Sequence, residues 1–196
     1  MTRAEMEAEL DEIRRAPGDN GVLELLVSRP QTGERAVLGV GELSLVEGLV
    51  GDSWKNRASS KTADGSPRME MQLTVMNSRA IALIAQDRDR WPLAGDQLFI
   101  DLDLSVKNLP IGTQLAIGTV VIEVTAPPHT GCKKFAGHFG VDAVAFVNSP
   151  VGLELRLRGL NARVIRAGTV RPGDRVKKME TGQEVKLSAP TEVSGG

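Results

Sequence analysis

The stretch Thr119-Val-Val-Ile-Glu-Val-Thr125, continued by Ala126-Pro127-Pro128-His129-Thr130-Gly131-Cys132-Lys133-Lys134-Phe135, sets both the fold class and the place to look for chemistry. Its β-branched first half reads as a strand. The residues from Lys133 to Val147 read as helical with a break near Gly140, and Asn148-Ser149-Pro150 stops them. Cys132 is therefore expected where a strand's loop enters a helix, a position that exposes backbone N–H groups, with Thr130 as the N-cap. The stretch carries the chain's only cysteine and one of its two histidines.

Upstream and downstream the same vocabulary repeats: short apolar runs bounded by turn residues. Val22–Ser28 is a strand stopped by Arg29-Pro30 and the turn Gln31-Thr32-Gly33, and a second extended segment runs from Ala36 to Val46. Glu47–Lys55, with two glycines, Asp52 and Trp54, suits a functional loop. Residues 56–68 are polar without periodicity and read as a mobile loop. Met69–Met76 alternates as a half-buried strand, and Arg79–Gln86 is an apolar helix. Leu98–Leu104 is a strand that projects Asp101 and Asp103 to one solvated face; Gln114–Ile117 and Ala162–Ile165 are further strands, and Arg175-Val176 ends the last. Many short strands with few intervening helices point to a mostly β, closed or barrel-like domain rather than an alternating α/β sheet.

The ends differ from the middle. Thr2 and Glu5 form a capping-box pattern before Met6, Leu10 and Ile13, so residues 1–20 read as a mostly charged helical extension on the surface. Residues 21–178 form the β-rich domain, and 179–196 form a polar tail expected to be disordered.

Composition excludes several functions. The net charge of −1 offers no global attraction to nucleic acid or an acidic membrane. Met1–Arg15 lacks an apolar core of signal-peptide length, and no apolar run approaches the length of a membrane span. One cysteine makes no internal disulfide, and no Cys/His spacing matches a zinc site, so a reducing cytoplasmic setting is expected and zinc is not. Phosphate-loop, dinucleotide and serine-nucleophile motifs are absent from the sequence.

At Cys132 a helix N-terminus and adjacent Lys133 and Lys134 both favour thiolate over thiol, the form that acts as nucleophile and soft metal ligand. The competing reading is a buried cysteine acting as a small hydrophobe. His129 is a candidate proton carrier beside an ordinary role as a turn histidine. His138 follows on the helix and is left to solvent.

These pieces in their order resemble the MOSC domain family, named for the C-terminal domain of molybdenum cofactor sulfurase. The resemblance spans about residues 22–177. It rests on Gly51-Asp52, on Leu98–Gly112 (LFIDLDLSVKNLPIG), on the proline-rich approach to Cys132, and on Gly159-Leu-Asn-Ala-Arg163-Val leading to Gly168-Thr-Val-Arg-Pro-Gly-Asp174. It implies a β-barrel-like fold with Cys132 as the reactive group, either ligating molybdenum through the molybdenum cofactor (molybdopterin) or carrying sulfur as a persulfide. The implied partners are a pyridoxal-phosphate cysteine desulfurase or an electron-transfer protein, and the implied activities are sulfur transfer or molybdenum-dependent redox chemistry. Thr130, Gly131, Lys133, Lys134, Arg158 and Arg163 would hold an anionic group, with Asp52 behind them. Many relatives place a histidine two residues after Gly-Asp, where this chain has Trp54. A binding module for a small anion or partner protein, and a thiol-dependent transferase acting on an organic substrate, are the alternatives.

Overall fold

The computed structural model describes residues 1–59 and 62–179. Strands β1 (Gly21–Ser28), β2 (Ala36–Val37), β3 (Gly41–Ser44) and β4 (Gly48–Leu49) come first, then β5 (Leu73–Asn77) and β6 (Leu98–Asp101). β7 (Gln114–Ile117), β8 (Val120–Val124), β9 (Leu160–Arg166), β10 (Gly168–Val170) and β11 (Arg175–Lys178) follow. The hydrogen-bonded order β1-β6-β5-β9-β8-β7-β11 closes on itself, because Gly21 pairs with Val176. Seven strands thus make a barrel, and β10-β3-β4 form a small side sheet.

Closure removes the sheet edges and gives the inward side chains one shared interior. Leu23, Leu26, Leu73, Val75, Leu98, Ile100, Ile122 and Val164 fill it and are all essentially buried. The alternation read in the strands is the alternation between this interior and the outside.

One pair departs from the antiparallel rule. β5 and β6 run parallel, Val75 opposite Leu98, joined over the outside by helix α3 once the N-terminal helices α1 (Arg3–Ala8) and α2 (Leu10–Arg14) are counted, with α3 at Ser78–Ala85. A parallel pair needs such a crossover, and the crossover covers the strands' outer face. β5 is therefore buried at all five positions, where a half-buried strand was expected. Its expected start is also displaced: Met69–Met71 is a 3-10 turn with Met69 44% exposed, and the strand begins at Leu73. Similarly, Ala36–Val46 is split into two short strands, and Gly48-Leu49 pairs as a strand inside the expected loop.

A second core lies outside the barrel wall. Val27, Met76 and Phe99 from the strands meet Ile81 and Ala85 of α3 and residues of α4 (Lys133–Phe139) and α5 (Val141–Val147). The N-terminal helices join this core through Met6, Leu10 and Ile13, which are 2%, 8% and 5% exposed. The surface helix expected from its charge is thus corrected: only its outer face is solvated. Its capping box forms as read, with Thr2 Oγ1 accepting from the Glu5 amide and Glu5 accepting from the Thr2 amide at 2.7 Å. The expected polar tail beyond 179 lies outside the described residues, as do Ser60 and Lys61 of the 56–68 loop.

The paired aspartates part company. Asp101 binds Arg79 through two hydrogen bonds, at 2.7 and 3.0 Å, whereas Asp103 caps the Ser105 amide at 2.9 Å in the turn after β6. A final helix, α6 (Pro150–Glu154), begins where the sequence reading ended helical structure, since Ser149 caps the Gly152 amide.

Met6→Ala is expected to cost about 2–5 kcal/mol in denaturant unfolding, as a buried large-to-small change does. A change within about 0.5 kcal/mol, the range of surface substitutions, would return the helix to an appendage. Gly159→Ala is expected to destabilise by at least about 1–3 kcal/mol, because φ is +105° and an added Cβ would lie 2.2 Å from the Val75 carbonyl oxygen.

Candidate functional site

The loop leaving β8 is tied down along its length. Thr125 donates its amide to the Asn161 carbonyl at 3.0 Å, and Asn161 Nδ2 donates to the Pro127 carbonyl at 3.0 Å. At the far end Asn148, the C-cap residue of α5, clamps Gly131: Asn148 Oδ1 accepts from its amide at 2.8 Å and Nδ2 donates to its carbonyl at 3.1 Å. A Cβ at Gly131 would fall 2.8 Å from Val147 Cγ2, so the close approach requires glycine. Neither clamp is visible in local sequence, since each partner comes from a distant segment.

Cys132 emerges exposed at the N-cap of α4, with extended φ and ψ of −127° and 177°. This excludes the buried, hydrophobe-like cysteine. Thr130, expected at the cap, lies two residues upstream and is exposed; Cys132 itself occupies the cap position without a side-chain capping bond. Lys133 and Lys134 are exposed and make no ion pair among the described residues. Phe135 anchors the helix by turning inward, 2% exposed, under the Arg158 guanidinium, whose central carbon sits 4.8 Å from the ring centroid.

Behind the loop is a buried carboxylate that sequence reading passed over as a turn residue. Asp96 is 0% exposed and receives Arg158 Nη1 on one oxygen and His129 Nε2, at 2.8 Å, on the other. Arg158 Nη2 donates to the Ala94 carbonyl at 2.9 Å. Burial opposes ionisation of Asp96, but Arg158 and His129 outweigh it and hold the carboxyl below the ordinary range. Burial and the neighbouring Arg158 push His129 below the ordinary imidazole value, against the pull of Asp96. An ionised carboxylate can only accept, so Nε2 is the ring nitrogen that carries the hydrogen of this contact.

A second buried pair adjoins the first. Arg29 and Asp52 bond in a fork, Nε to Oδ2 at 2.8 Å and Nη2 to Oδ1 at 2.9 Å, and Arg29 Nη1 reaches the carbonyl of Gly95 at 2.9 Å. Asp52 also accepts from the Trp54 amide at 2.9 Å, so it shapes the Gly51-Asp52 loop from within. Trp54 is buried at 5% exposure. Arg35 and Arg57 stand nearby, Arg35 holding the Pro92 carbonyl at 3.1 Å and Arg57 approaching Ser53 Oγ at 3.4 Å. Burial first, then the charge of Arg29, lowers both guanidiniums from their ordinary value, against the pull of Asp52.

The expected residues are thus brought together unevenly. His129, Thr130, Gly131, Cys132, Lys133 and Lys134 lie on one loop and helix start, and Arg158 packs beneath them, committed to Asp96. Arg163 contacts Glu123 of β8, at 3.0 Å through Nε, rather than the Cys132 loop. Asp96, Arg29, Arg35 and Asn148 were missed. Among the described residues no three His, Cys, Asp or Glu side chains converge to hold a metal ion, and no helix is long and apolar enough to cross a membrane.

Asp52→Ala is expected to cost about 3–5 kcal/mol by leaving Arg29 buried without its partner, while Arg163→Ala stays within about 0.5 kcal/mol; chemical denaturation compares them. Stability should also depend on His129. Its folded value lies below the unfolded 6.5, so the unfolded chain binds more protons in between, and stability falls as pH drops through that window. The slope is at most about 1.4 kcal/mol per pH unit for one group, and His129→Gln should remove it.

The MOSC domain family model matches residues 68–177, more than half of the chain. Among solved structures, YuaD from Bacillus subtilis aligns with a TM-score of 0.60 at 16% identity, over 81% of this chain and 95% of that one. YiiM from Escherichia coli aligns with a TM-score of 0.52 at 17% identity, over 84% of this chain and 72% of that one. At such identities the likeness is one of fold. No curated protein matches the sequence. The barrel, the order of its elements and the matched span make this chain a member of the MOSC domain family.

Proposed function

We propose that the protein binds the molybdenum cofactor or handles sulfur through Cys132, which serves as thiolate ligand or persulfide carrier. The observation that carries this reading is an exposed, lone thiol on a doubly clamped loop within the matched span of a family associated with that cofactor. A thiolate is the soft ligand that molybdenum and sulfane sulfur both accept.

The surroundings fit the cofactor. Arg158 Nε and Asn161 Oδ1, both in residues that pack against the loop, are buried and have no hydrogen-bond partner, leaving a donor and an acceptor open behind it. A pterin edge carries complementary groups. Cys132 would hold the metal; Lys133, Lys134, Arg35 and Arg57 supply positive charge for a phosphate, a set that replaces Arg163 in the binding role first assigned to it. Asn148 and Phe135 keep the loop and helix start in place. When bound, the cofactor supplies a molybdenum centre for oxygen- or sulfur-atom transfer.

The carrier role draws on a separate observation. Trp54, buried where many relatives have a histidine, leaves the Asp52 loop without an imidazole, and the exposed thiol stands open to a partner. In that role Cys132 thiolate attacks the outer sulfur of a desulfurase persulfide. The donor S–S bond breaks as the new one forms, and the donor leaves as thiolate. A pyridoxal-phosphate desulfurase or an electron-transfer protein is the partner each role requires, in a cytoplasmic setting.

Anaerobic purification from a cofactor-producing host is expected to yield molybdenum and an organic pterin with the wild-type protein and neither with Cys132→Ser. If both are absent from wild type, and no persulfide forms on Cys132 with a desulfurase and cysteine, the reading fails. Retention of ligand by Cys132→Ser would instead support an anion-binding module.

A further inference from the structure

We propose that Arg156 is a positioning residue of the Cys132 site. It anchors the segment after α6 to the end of the barrel, so that Arg158 reaches Asp96 and covers Phe135 at the start of α4; its bearing on function rests on the reading of Cys132 as the reactive group.

The backbone at Arg156 is held in a costly shape. Helix α6 closes with the Leu157 amide donating to the Gly152 carbonyl at 2.8 Å and the Arg156 amide donating to the Leu153 carbonyl at 3.3 Å. This closure needs one left-handed residue just past the helix, and glycine is its usual occupant because a Cβ there crowds the following carbonyl. Arg156 stands in that place with a φ of +49°. A cap alone does not call for arginine, so the reason lies in its side chain.

The half-buried side chain ties α6 to the barrel. Its Nη1 donates to the Leu109 carbonyl at 2.7 Å and lies 3.4 Å from that of Leu104. Both leucines are buried in the barrel interior, so these carbonyls belong to a fixed plug. From the same turn the Val106 amide donates to the Glu154 carbonyl at 2.9 Å. Burial alone lowers the Arg156 guanidinium from its ordinary value, and its charge is directed at carbonyls rather than at a carboxylate.

Three successive residues then diverge. Arg156 reaches the barrel end, Leu157 is buried in the helical core, and Arg158 enters the site. The Gly159 amide donates to the Arg156 carbonyl at 2.7 Å, closing a turn that holds Arg158 between two residues of positive φ. From there Arg158 binds Asp96 and the Ala94 carbonyl, and its guanidinium covers Phe135. Phe135 lies in the first turn of α4, where the Ala136 amide donates to the Cys132 carbonyl at 3.0 Å. A continuous series of contacts thus runs from the Leu109 carbonyl to the turn that carries Cys132.

Amide hydrogen exchange followed by NMR tests this in Arg156→Gly, which keeps the left-handed backbone and removes the anchor. The Ala136 amide is expected to exchange about tenfold faster than in wild type, the size of one net hydrogen bond lost, while the amides of β8 stay unchanged. Arg156→Lys, whose ammonium meets the same carbonyls, is expected to restore slow exchange. Loading of Cys132, with sulfur from a desulfurase and cysteine or with the cofactor, should fall in Arg156→Gly and recover in Arg156→Lys. Unchanged exchange at Ala136 in Arg156→Gly, acceleration shared equally by β8, or loading equal to that of wild type would overturn the proposal. If Arg156→Gly does not fold, Arg156→Asn, which tolerates the same backbone and is too short to reach the carbonyls, repeats the comparison. Failure of the parent reading looks different: wild-type Cys132 would then take up neither sulfur nor cofactor, and the exchange comparison would still decide whether Arg156 places the start of α4.

Discussion

The carboxylate of Asp96 is the fixed point of the site. It has no access to solvent, and its two oxygens are taken by an arginine after α6 and a histidine on the loop after β8. Such a buried pair adds little net stability over an apolar substitute, but removing one partner leaves an uncompensated charge in the interior. Its consequence is geometric: the segments carrying His129 and Arg158 meet at Asp96. Because Arg158 also lies across Phe135, the same contact sets where α4 begins and hence where Cys132 emerges. Arg29 extends the arrangement by joining the Asp52 loop to Gly95, the residue before Asp96.

The barrel makes this possible by putting hydrophobic stabilisation elsewhere. Its closed interior and the helical core outside its wall both bury apolar side chains, which leaves the loops between them free to hold polar networks. The parallel β5–β6 pair links the two cores, because α3 must cross between those strands and in crossing covers Met76 and Phe99. Asp96 sits just before β6, so the strand that joins the cores also presents the carboxylate.

Local pattern carried the fold a long way. The strands around the barrel, the break at Gly140 and the strand-loop-helix setting of Cys132 are written in β-branched runs, glycines and turn residues acting over a few positions. What escaped was set by distant partners. Met6, Leu10 and Ile13 are spaced for a helix, but only the groove between α3 and α5 says that their face is buried. Asp96 in Ala94-Gly95-Asp96-Gln97 looks like any turn aspartate until Arg158 and His129 arrive from 62 and 33 residues away. The lysines beside Cys132 were legible by adjacency. Arg163 was assigned on the same principle of motif neighbourhood, and its strand register turns it to Glu123 instead.

The central claim is that Cys132 is the reactive group through which this MOSC domain binds or carries. The mass of the untreated protein, isolated anaerobically from a host that makes both the cofactor and a cysteine desulfurase, tests it most directly. The account predicts added sulfur or a cofactor adduct that is absent from Cys132→Ser. A wild-type protein of unmodified mass under those conditions, with its thiol free, would contradict it.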